Sequence, residues 1–146
     1  MKKTFLFLAL GFVSLQGFSQ SAEDSVKAVI NKLFTAMKNS DAASLQDCFA
    51  DSAILQTITA SGRFRSESVE AFASQIGKLP KDAGDVRIRF DVVKTDAALA
   101  TARTPYQFFY NGNFSHCGVN SFQLVRLNGT WKIQYLVDTR RKAPCL

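Results

Sequence analysis

The chain has 146 residues, and its 18 Lys and Arg residues outnumber its 12 Asp and Glu residues, for a formal net charge of +6. Much of this excess lies near the two ends, in Lys2 and Lys3 and in the basic segment 140–142. The nearly neutral body of the chain argues against a nucleic-acid-binding surface, which needs clustered basic residues. The length is sufficient for one domain with its own hydrophobic core.

The N-terminus has the organisation of a bacterial secretory signal peptide. Lys2 and Lys3 precede the apolar run Phe5–Val13, and Gly17 and Ser19 place small residues before the predicted cut. A membrane anchor is the alternative, but the run is shorter than the roughly 20 residues that span a bilayer. We therefore expect export to the periplasm or the medium, with no membrane attachment after cleavage. The expected organisation is a signal peptide (1–19), one domain (20–142) and a C-terminal tail (143–146).

Helical patterns fill much of the first half of the expected domain. Apolar residues at helical spacing predict a helix from about Glu23 to Lys38. Its apolar stripe consists of Val26, Val29, Ile30, Leu33, Phe34 and Met37. Asp41 is a predicted cap of a short second helix. A third helix is predicted between Ser66, a candidate cap, and Pro80. We interpret the stripes as core-facing surfaces.

Strand patterns account for the rest of the domain. Alternating and β-branched residues predict strands at 54–59, 86–92, 98–110, 114–127 and 131–138, with a loop or short hairpin at 61–65. Asn-Gly turns at Asn111 and Asn128 join the last three strands into an antiparallel meander, because Asn-Gly accepts the positive φ angles of a tight hairpin turn. The pattern predicts an α+β fold, with N-terminal helices packed on the concave side of a curved antiparallel sheet.

The two turns also predict which side chains share a face of the sheet, since turn geometry sets hairpin register. On one face they bring polar groups into an aromatic frame, as a small-molecule pocket requires. The predicted pocket residues are Arg103, Gln107, His116, Asn120, Trp131 and Tyr135. A bulge is expected at Pro105, which cannot donate a ladder hydrogen bond. If the concave and convex faces are exchanged, the lining becomes Tyr106, Tyr110, Gln134 and Asp138.

Several of these residues also have a purely structural interpretation. His116 is the one histidine and could act as an acid, a base or a ligand donor, or be held by its neighbours at a strand end. Trp131 could belong to the core rather than to a ligand platform. Arg103 could pair with an anionic ligand, or with Asp91 or Asp138.

The order of elements and the Gly-x-Trp-Lys-Ile strand at 129–133 resemble the nuclear transport factor 2-like superfamily, especially its secreted SnoaL-like or lumazine-binding-like members. The stretches that carry the likeness are 39–41 (NSD), 47–50 (DCFA), 104–106 (TPY), 114–119 (FSHCGV) and 135–141 (YLVDTRR). The resemblance spans about 22–141. It implies a cone-shaped domain with a pocket between sheet and helices, usually dimeric through the sheet. The scaffold hosts enzymes and pure binders, so the resemblance leaves the activity open.

The leading functional hypothesis is a secreted binder of a small apolar or aromatic molecule. An isomerase, dehydratase or cyclase on the same scaffold, or a dimeric interaction module without ligand, is the alternative. No nucleophile motif or phosphate loop is present, and one histidine without zinc-ligand cysteine spacing argues against a metal site or a cofactor. An enzyme would place His116 or an aspartate within hydrogen-bond reach of a second donor in the pocket.

Three cysteines, Cys48, Cys117 and Cys145, leave at least one thiol unpaired within the chain. Cys48 lies on an apolar helical stripe and is expected to be an inert buried thiol. The hairpin register places Cys117 opposite Arg140, so the tail after Pro144 could turn back to form a Cys117–Cys145 disulfide.

A homodimer that pairs sheet to sheet is also expected. The second face of the predicted sheet carries Tyr106, Phe108, Val119, Val125 and Leu136. Exposed together, these would form an apolar patch larger than a monomer usually tolerates.

Overall fold

The computed structural model describes residues 21–145, so the predicted signal peptide lies outside the described residues. Three helices are present: α1 (Ala22–Asn39), α2 (Ala42–Asp47) and α3 (Val69–Gly77). Each begins at a side-chain cap, provided by Ser21, Asp41 and Ser68 respectively. Each cap accepts a backbone N–H of the first turn, which would otherwise lack a partner. The predicted cap Ser66 is wrong, because that residue lies in the preceding strand.

Seven strands form one curved, open sheet: β1 (Phe49–Ile58), β2 (Phe64–Glu67), β3 (Gly84–Ile88), β4 (Val92–Asp96), β5 (Leu99–Tyr110), β6 (Asn113–Leu127) and β7 (Thr130–Thr139). The strand order is β2-β1-β7-β6-β5-β3, and β4 also pairs with β5. Because β1 and β7 are parallel, the sheet is mixed rather than purely antiparallel as predicted. The single strand predicted at 86–92 is interrupted at 89–91 and forms β3 and β4.

The predicted Asn-Gly turns are present. Asn111 and Asn128 have φ angles of 48° and 49°, and the glycines that follow have 77° and 82°. Two successive positive φ angles match the twist of the flanking strands and close each hairpin tightly.

Two bulges then shift the register by one residue each. Phe109 pairs with Phe114 but Phe108 pairs with His116, so Ser115 has no partner on β5. On β7, Gln134 is skipped in the same way between Ile133 and Tyr135. A shift of one residue exchanges the faces that meet across a strand pair.

The bulge expected at Pro105 is absent, because Pro105 pairs in regular register with Val119. The Pro105 carbonyl accepts the Arg89 N–H on the β3 side of the strand. The N–H that proline lacks would point to that same side, where β3 and β4 are interrupted at 89–91. The ladder therefore loses little there.

The core lies between the helices and the concave face of the sheet. Val26, Ile30 and Leu33 of α1 are fully buried, and the Phe34 ring meets Phe122 of β6 edge-on at 6.3 Å. Each such side chain contributes about 1.5–3 kcal/mol on burial. The predicted α+β class is confirmed.

No helix of the described region 21–145 is long and apolar enough to cross a membrane.

After β7 ends at Thr139, residues 140–145 lie against β6, so the tail begins three residues earlier than the predicted 143–146. Cys117 and Cys145 are joined by a disulfide, with 28 residues of separation and Cα atoms 5.8 Å apart. Cys117 is fully buried and Cys145 is exposed. Cys48 is a free buried thiol, and burial raises its pKa, which keeps it protonated.

Candidate functional site

A cleft of about 580 Å³ opens between the concave face of the sheet and helices α1 and α3. Apolar side chains from both layers form its walls, among them Leu33, Phe34, Phe72, Ile76, Phe108 and Leu136. Polar side chains of the sheet form one side of it, which we call the polar floor: Thr57, Tyr106, His116, Asn120 and Asp138. The combination of apolar walls with a few converging polar groups is typical of small-molecule sites.

Asp138 is the central charge of the polar floor, and only 8% of its surface is exposed. Its carboxylate accepts hydrogen bonds from the Tyr106 hydroxyl (2.9 Å), the Arg140 Nε (3.2 Å) and the Thr57 hydroxyl. A buried carboxylate is tolerated when it is paired and hydrogen-bonded in this way. Asp138 thus fixes three neighbouring side chains in place.

Tyr106 lies directly beside this carboxylate. Its hydroxyl is 2.9 Å from Asp138 Oδ2 and 3.0 Å from the Thr139 carbonyl, so its one proton is shared between two acceptors. Burial, and then the negative charge of Asp138, raise the pKa of Tyr106 well above its usual range. Tyr106 is therefore a neutral hydroxyl group at physiological pH.

Asn120 lies opposite Asp138 across the β6–β7 pair. Its Nδ2 donates to the Thr104 hydroxyl at 3.0 Å, which fixes the orientation of the amide. Its carbonyl oxygen accepts no hydrogen bond from residues 21–145. It is not fully buried either, because Trp131 Nε1 is the only fully buried side-chain N or O atom without a hydrogen-bond partner in this region. The Asn120 oxygen is therefore an acceptor open to the cleft.

His116 closes the row of floor residues. Its Nδ1 lies 3.0 Å from the Ser115 hydroxyl, and its ring packs on Phe108 with centroids 5.1 Å apart. Burial and then the positive charge of Arg140 lower the pKa of His116, with a smaller contribution from Lys142. The imidazole is therefore neutral at physiological pH, with Nε2 left for a ligand.

The structure brings His116 and Asn120 together on the concave face, but Arg103 and Gln107 are not with them. Both are exposed on the outer face, where Arg103 pairs with Asp91 and Gln107 lies opposite Cys117. The physical reason is the Ser115 bulge. It shifts β5 by one residue relative to His116, so the face prediction for these two residues is wrong.

Trp131 and Tyr135 are also outside the cleft. Trp131 is 4% exposed in the core near the Asn128 turn, at the opposite end of β7 from Asp138. Tyr135 lies on the outer face, and its hydroxyl donates to Gln56 at 2.7 Å. The Gln134 bulge is responsible, because it moves Tyr135 off the concave face.

The alternative lining, predicted for the case that the concave and convex faces are exchanged, contains two residues that do line the cleft. Tyr106 and Asp138 line the cleft, whereas Tyr110 and Gln134 do not. The second bulge is visible in the burial pattern of β7, where the buried residues Trp131, Ile133 and Leu136 step by two and then by three. The sequence has no such signal, because Trp131, Ile133, Tyr135 and Val137 alternate without a break.

The second face predicted for a dimer is corrected by the same two bulges. Tyr106, Phe108 and Leu136 line the cleft rather than the outer face.

Within residues 21–145, no three His, Cys, Asp or Glu side chains come together in a way that could hold a metal ion.

Residues 21–135 match the family described as "Putative lumazine-binding". The chain belongs to this family. A comparison with curated proteins finds no match.

Solved structures share the fold at low sequence identity. A nuclear transport factor 2-like protein of unknown function from Shewanella baltica has a TM-score of 0.66 and 12% identity, over 82% of this chain and 93% of its own. A similar protein from Methylobacillus flagellatus has a TM-score of 0.66 and 18% identity, over 81% and 90%. A cystatin-like domain of unknown function from Nostoc punctiforme has a TM-score of 0.66 and 17% identity, over 86% and 81%. These likenesses establish the nuclear transport factor 2-like fold.

Proposed function

We propose that this domain binds a small planar heteroaromatic molecule of the lumazine type in the cleft. The observation that carries the proposal is a pair of polar atoms on the polar floor, Asn120 Oδ1 and His116 Nε2, that have no hydrogen-bond partner among residues 21–145 and lie beside the apolar walls of the cleft. The family description supports the ligand class.

The chemistry of such a heterocycle fits this arrangement. Lumazine is a flat fused ring system whose edge carries N–H donors and carbonyl acceptors. Asn120 Oδ1 can accept from a ring N–H, and Phe34, Phe72 and Phe108 offer apolar contact to the ring faces. A cleft of about 580 Å³ is within the range of ordinary small-molecule sites.

Fluorescence titration with lumazine tests the proposal on the mature, oxidised protein. We expect saturable binding that weakens about tenfold in Asn120→Ala, since a good hydrogen bond is worth about 1 kcal/mol or slightly more. Gln107→Ala is the matched control, because Gln107 is an exposed polar residue on the outer face of the same sheet, and it should bind like wild type. Absence of lumazine binding, or equal effects of both variants, would contradict the proposal.

An acid–base enzyme is the second candidate, and the Tyr106–Asp138 contact of 2.9 Å favours it. Against it, the Asp138 carboxylate already accepts three hydrogen bonds from protein groups, so its oxygens are engaged rather than free to take a proton from a substrate. Incubation with lumazine in deuterated water separates the candidates. Deuterium uptake at a ligand carbon that is lost in Asp138→Asn indicates proton transfer, and an unchanged ligand mass indicates a binder.

We propose export as well, on the basis of the N-terminal segment and the Cys117–Cys145 disulfide, since disulfides persist mainly in oxidising compartments. Intact mass of the protein recovered from the periplasm or the medium should lack the first 19 residues. A full-length chain retained in the membrane fraction would contradict export.

We further propose a homodimer through the outer face of the sheet. Ile54 and Ile58 of β1 are 50% and 37% exposed, and by register they share this face with Val119, Val125 and Val137. Adjacent apolar residues on an open face favour a protein contact. Light scattering at micromolar concentration should give a dimer mass for wild type and a monomer mass for Ile54→Lys, and a monomeric wild type would overturn the proposal.

A further inference from the structure

The C-terminal tail connects the disulfide to the polar floor. Arg141 exchanges two backbone hydrogen bonds with Cys117, at 2.8 and 2.9 Å. The Lys142 ammonium donates to the carbonyl of Ser115, the bulge residue, at 2.5 Å. Arg140, at the start of the tail, donates to Asp138 in the cleft. One short segment therefore contacts both the bulge and the central carboxylate.

The end of β7, from which the tail continues, approaches the backbone of β6 unusually closely. A Cβ atom placed on Gly118 would lie 1.7 Å from the Thr139 carbonyl oxygen and 2.9 Å from the Tyr106 ring. The end of β7 thus rests directly on the backbone of β6, next to Cys117. The position of Tyr106, which also contacts the Thr139 carbonyl, depends on the chain staying there.

We infer that the Cys117–Cys145 disulfide is a redox-sensitive clamp on the cleft, and that its reduction releases residues 142–145 of the tail and rearranges the polar floor around His116. Cys145 is exposed, so a thiolate of a dithiol reductant can attack its sulfur, and Cys117 leaves as a thiolate that takes up a proton. The second reductant thiol then displaces Cys145, so that the two cysteines end as thiols and the reductant as its disulfide.

Two side-chain hydrogen bonds remain at the end of the tail once the disulfide is broken. Arg141 Nε donates to the Pro144 carbonyl at 2.6 Å, and the long, flexible Lys142 side chain donates to the Ser115 carbonyl. Residues 142–145 are exposed, and segments with few buried contacts open locally at low free-energy cost. Reduction therefore frees residues 142–145, while Arg140 and Arg141 keep their backbone hydrogen bonds to Ile58 and Cys117.

The NMR signals of His116 can detect this rearrangement of the polar floor in the absence of a ligand. His116 is the only histidine of the chain, so its ring signals follow the polar floor directly by NMR. The groups that face it are Tyr106, Asp138, Arg140 and Lys142, and burial and the two cations lower its pKa in the oxidised form. Release of residues 142–145 withdraws the Lys142 ammonium and admits water to the polar floor, and both changes raise the pKa of His116.

The experiment is a pH titration of His116 in the oxidised protein, in the dithiol-reduced protein and in Cys145→Ser. We expect the pKa of His116 to rise in the last two relative to the first. Cys48→Ala is the matched control, since it keeps the bridge and removes the free thiol; it should titrate like oxidised wild type and shift on reduction as wild type does. An identical His116 pKa in oxidised and reduced protein would overturn the inference.

A second readout rests on the proposed function. Lumazine affinity should fall by several-fold on reduction and should be restored on reoxidation. If the His116 pKa shifts but lumazine binds neither form, the clamp is supported and the proposed ligand is wrong. If lumazine binds both forms equally and the His116 pKa does not shift, the clamp is wrong and the binding function stands.

Discussion

The two halves of the β5–β6 hairpin, on either side of the Ser115 bulge, differ in how tightly they are packed. On the turn side, Tyr110 and Phe114 are 43% and 44% exposed. On the bulge side, Tyr106 is 7% exposed and lies opposite Gly118, where no side chain fits. The same two strands thus provide an open hairpin end and part of a buried site. The Ser115 bulge lies at the boundary between the two, where His116 of β6 comes to lie opposite Phe108 on the concave face.

Gly118→Ala tests the tight side of this comparison most severely. The new methyl group would meet the Thr139 backbone at 1.7 Å, so the strand end must move. We expect a loss of about 3 kcal/mol or more in the free energy of unfolding, measured by urea denaturation. In the control Gly84→Ala, next to the turn side, the nearest atom is at 3.6 Å, and the change should stay under about 1 kcal/mol. Equal losses of stability in both variants would contradict the difference in packing between the two sides of the bulge.

Cys145→Ser removes the covalent tie on the bulge side. The bond closes a separation of 28 residues, for which loop closure predicts about 3 kcal/mol of stabilisation. Thermal unfolding of the oxidised protein and of the variant measures this loss. Reduced wild type should unfold like the variant; if it unfolds like the oxidised protein, the bridge does not contribute.

Tyr106→Phe measures how much the buried hydroxyl contributes to the free energy of unfolding. The variant leaves the ring in place but deprives Asp138 and the Thr139 carbonyl of one donor. We expect a loss of about 1–2 kcal/mol in chemical denaturation. Tyr110→Phe, on the exposed turn side, should change stability by less than about 0.5 kcal/mol. A neutral Tyr106→Phe would show that water replaces the hydroxyl in the cleft.

The smallest expected effect belongs to a surface ion cluster beside the turn side of the β6–β7 hairpin. Asp47 pairs with Lys132 at 2.7 Å and also with Lys32, and hydrogen bonds from these lysines lower its pKa to about 2. Because the pKa of Asp47 is lower in the folded state, its charge stabilises the fold above about pH 4. This stabilisation is lost as the pH falls through about 2. Asp47 is 59% exposed, so Asp47→Asn should flatten this acid dependence by less than about 1 kcal/mol. Asp51→Asn is the exposed control.

The sequence predicted whatever depends on local pattern. The α1 stripe follows helical periodicity, and its members Val26, Ile30 and Leu33 are buried as expected. The Asn-Gly turns were readable because their backbone needs particular residues. Arg103, Gln107 and Tyr135 were assigned to the wrong face, since a face assignment carried along a strand reverses at every bulge. Ser115 and Gln134 have no glycine or proline signature, and Gln134 is held by a distant partner, the Ser52 carbonyl at 3.0 Å.

The parallel pairing of β1 with β7 has a consequence for how the chain acquires its structure. Phe49 and Thr139 belong to adjacent strands although most of the domain lies between them in sequence. The β1–β2 hairpin therefore has no sheet to join until β7, the last strand, is available. Pairings of such long range slow folding, because chain closure must precede the stabilising contacts. We expect a nascent chain to stay open until β7 emerges, and then to fold in one cooperative step.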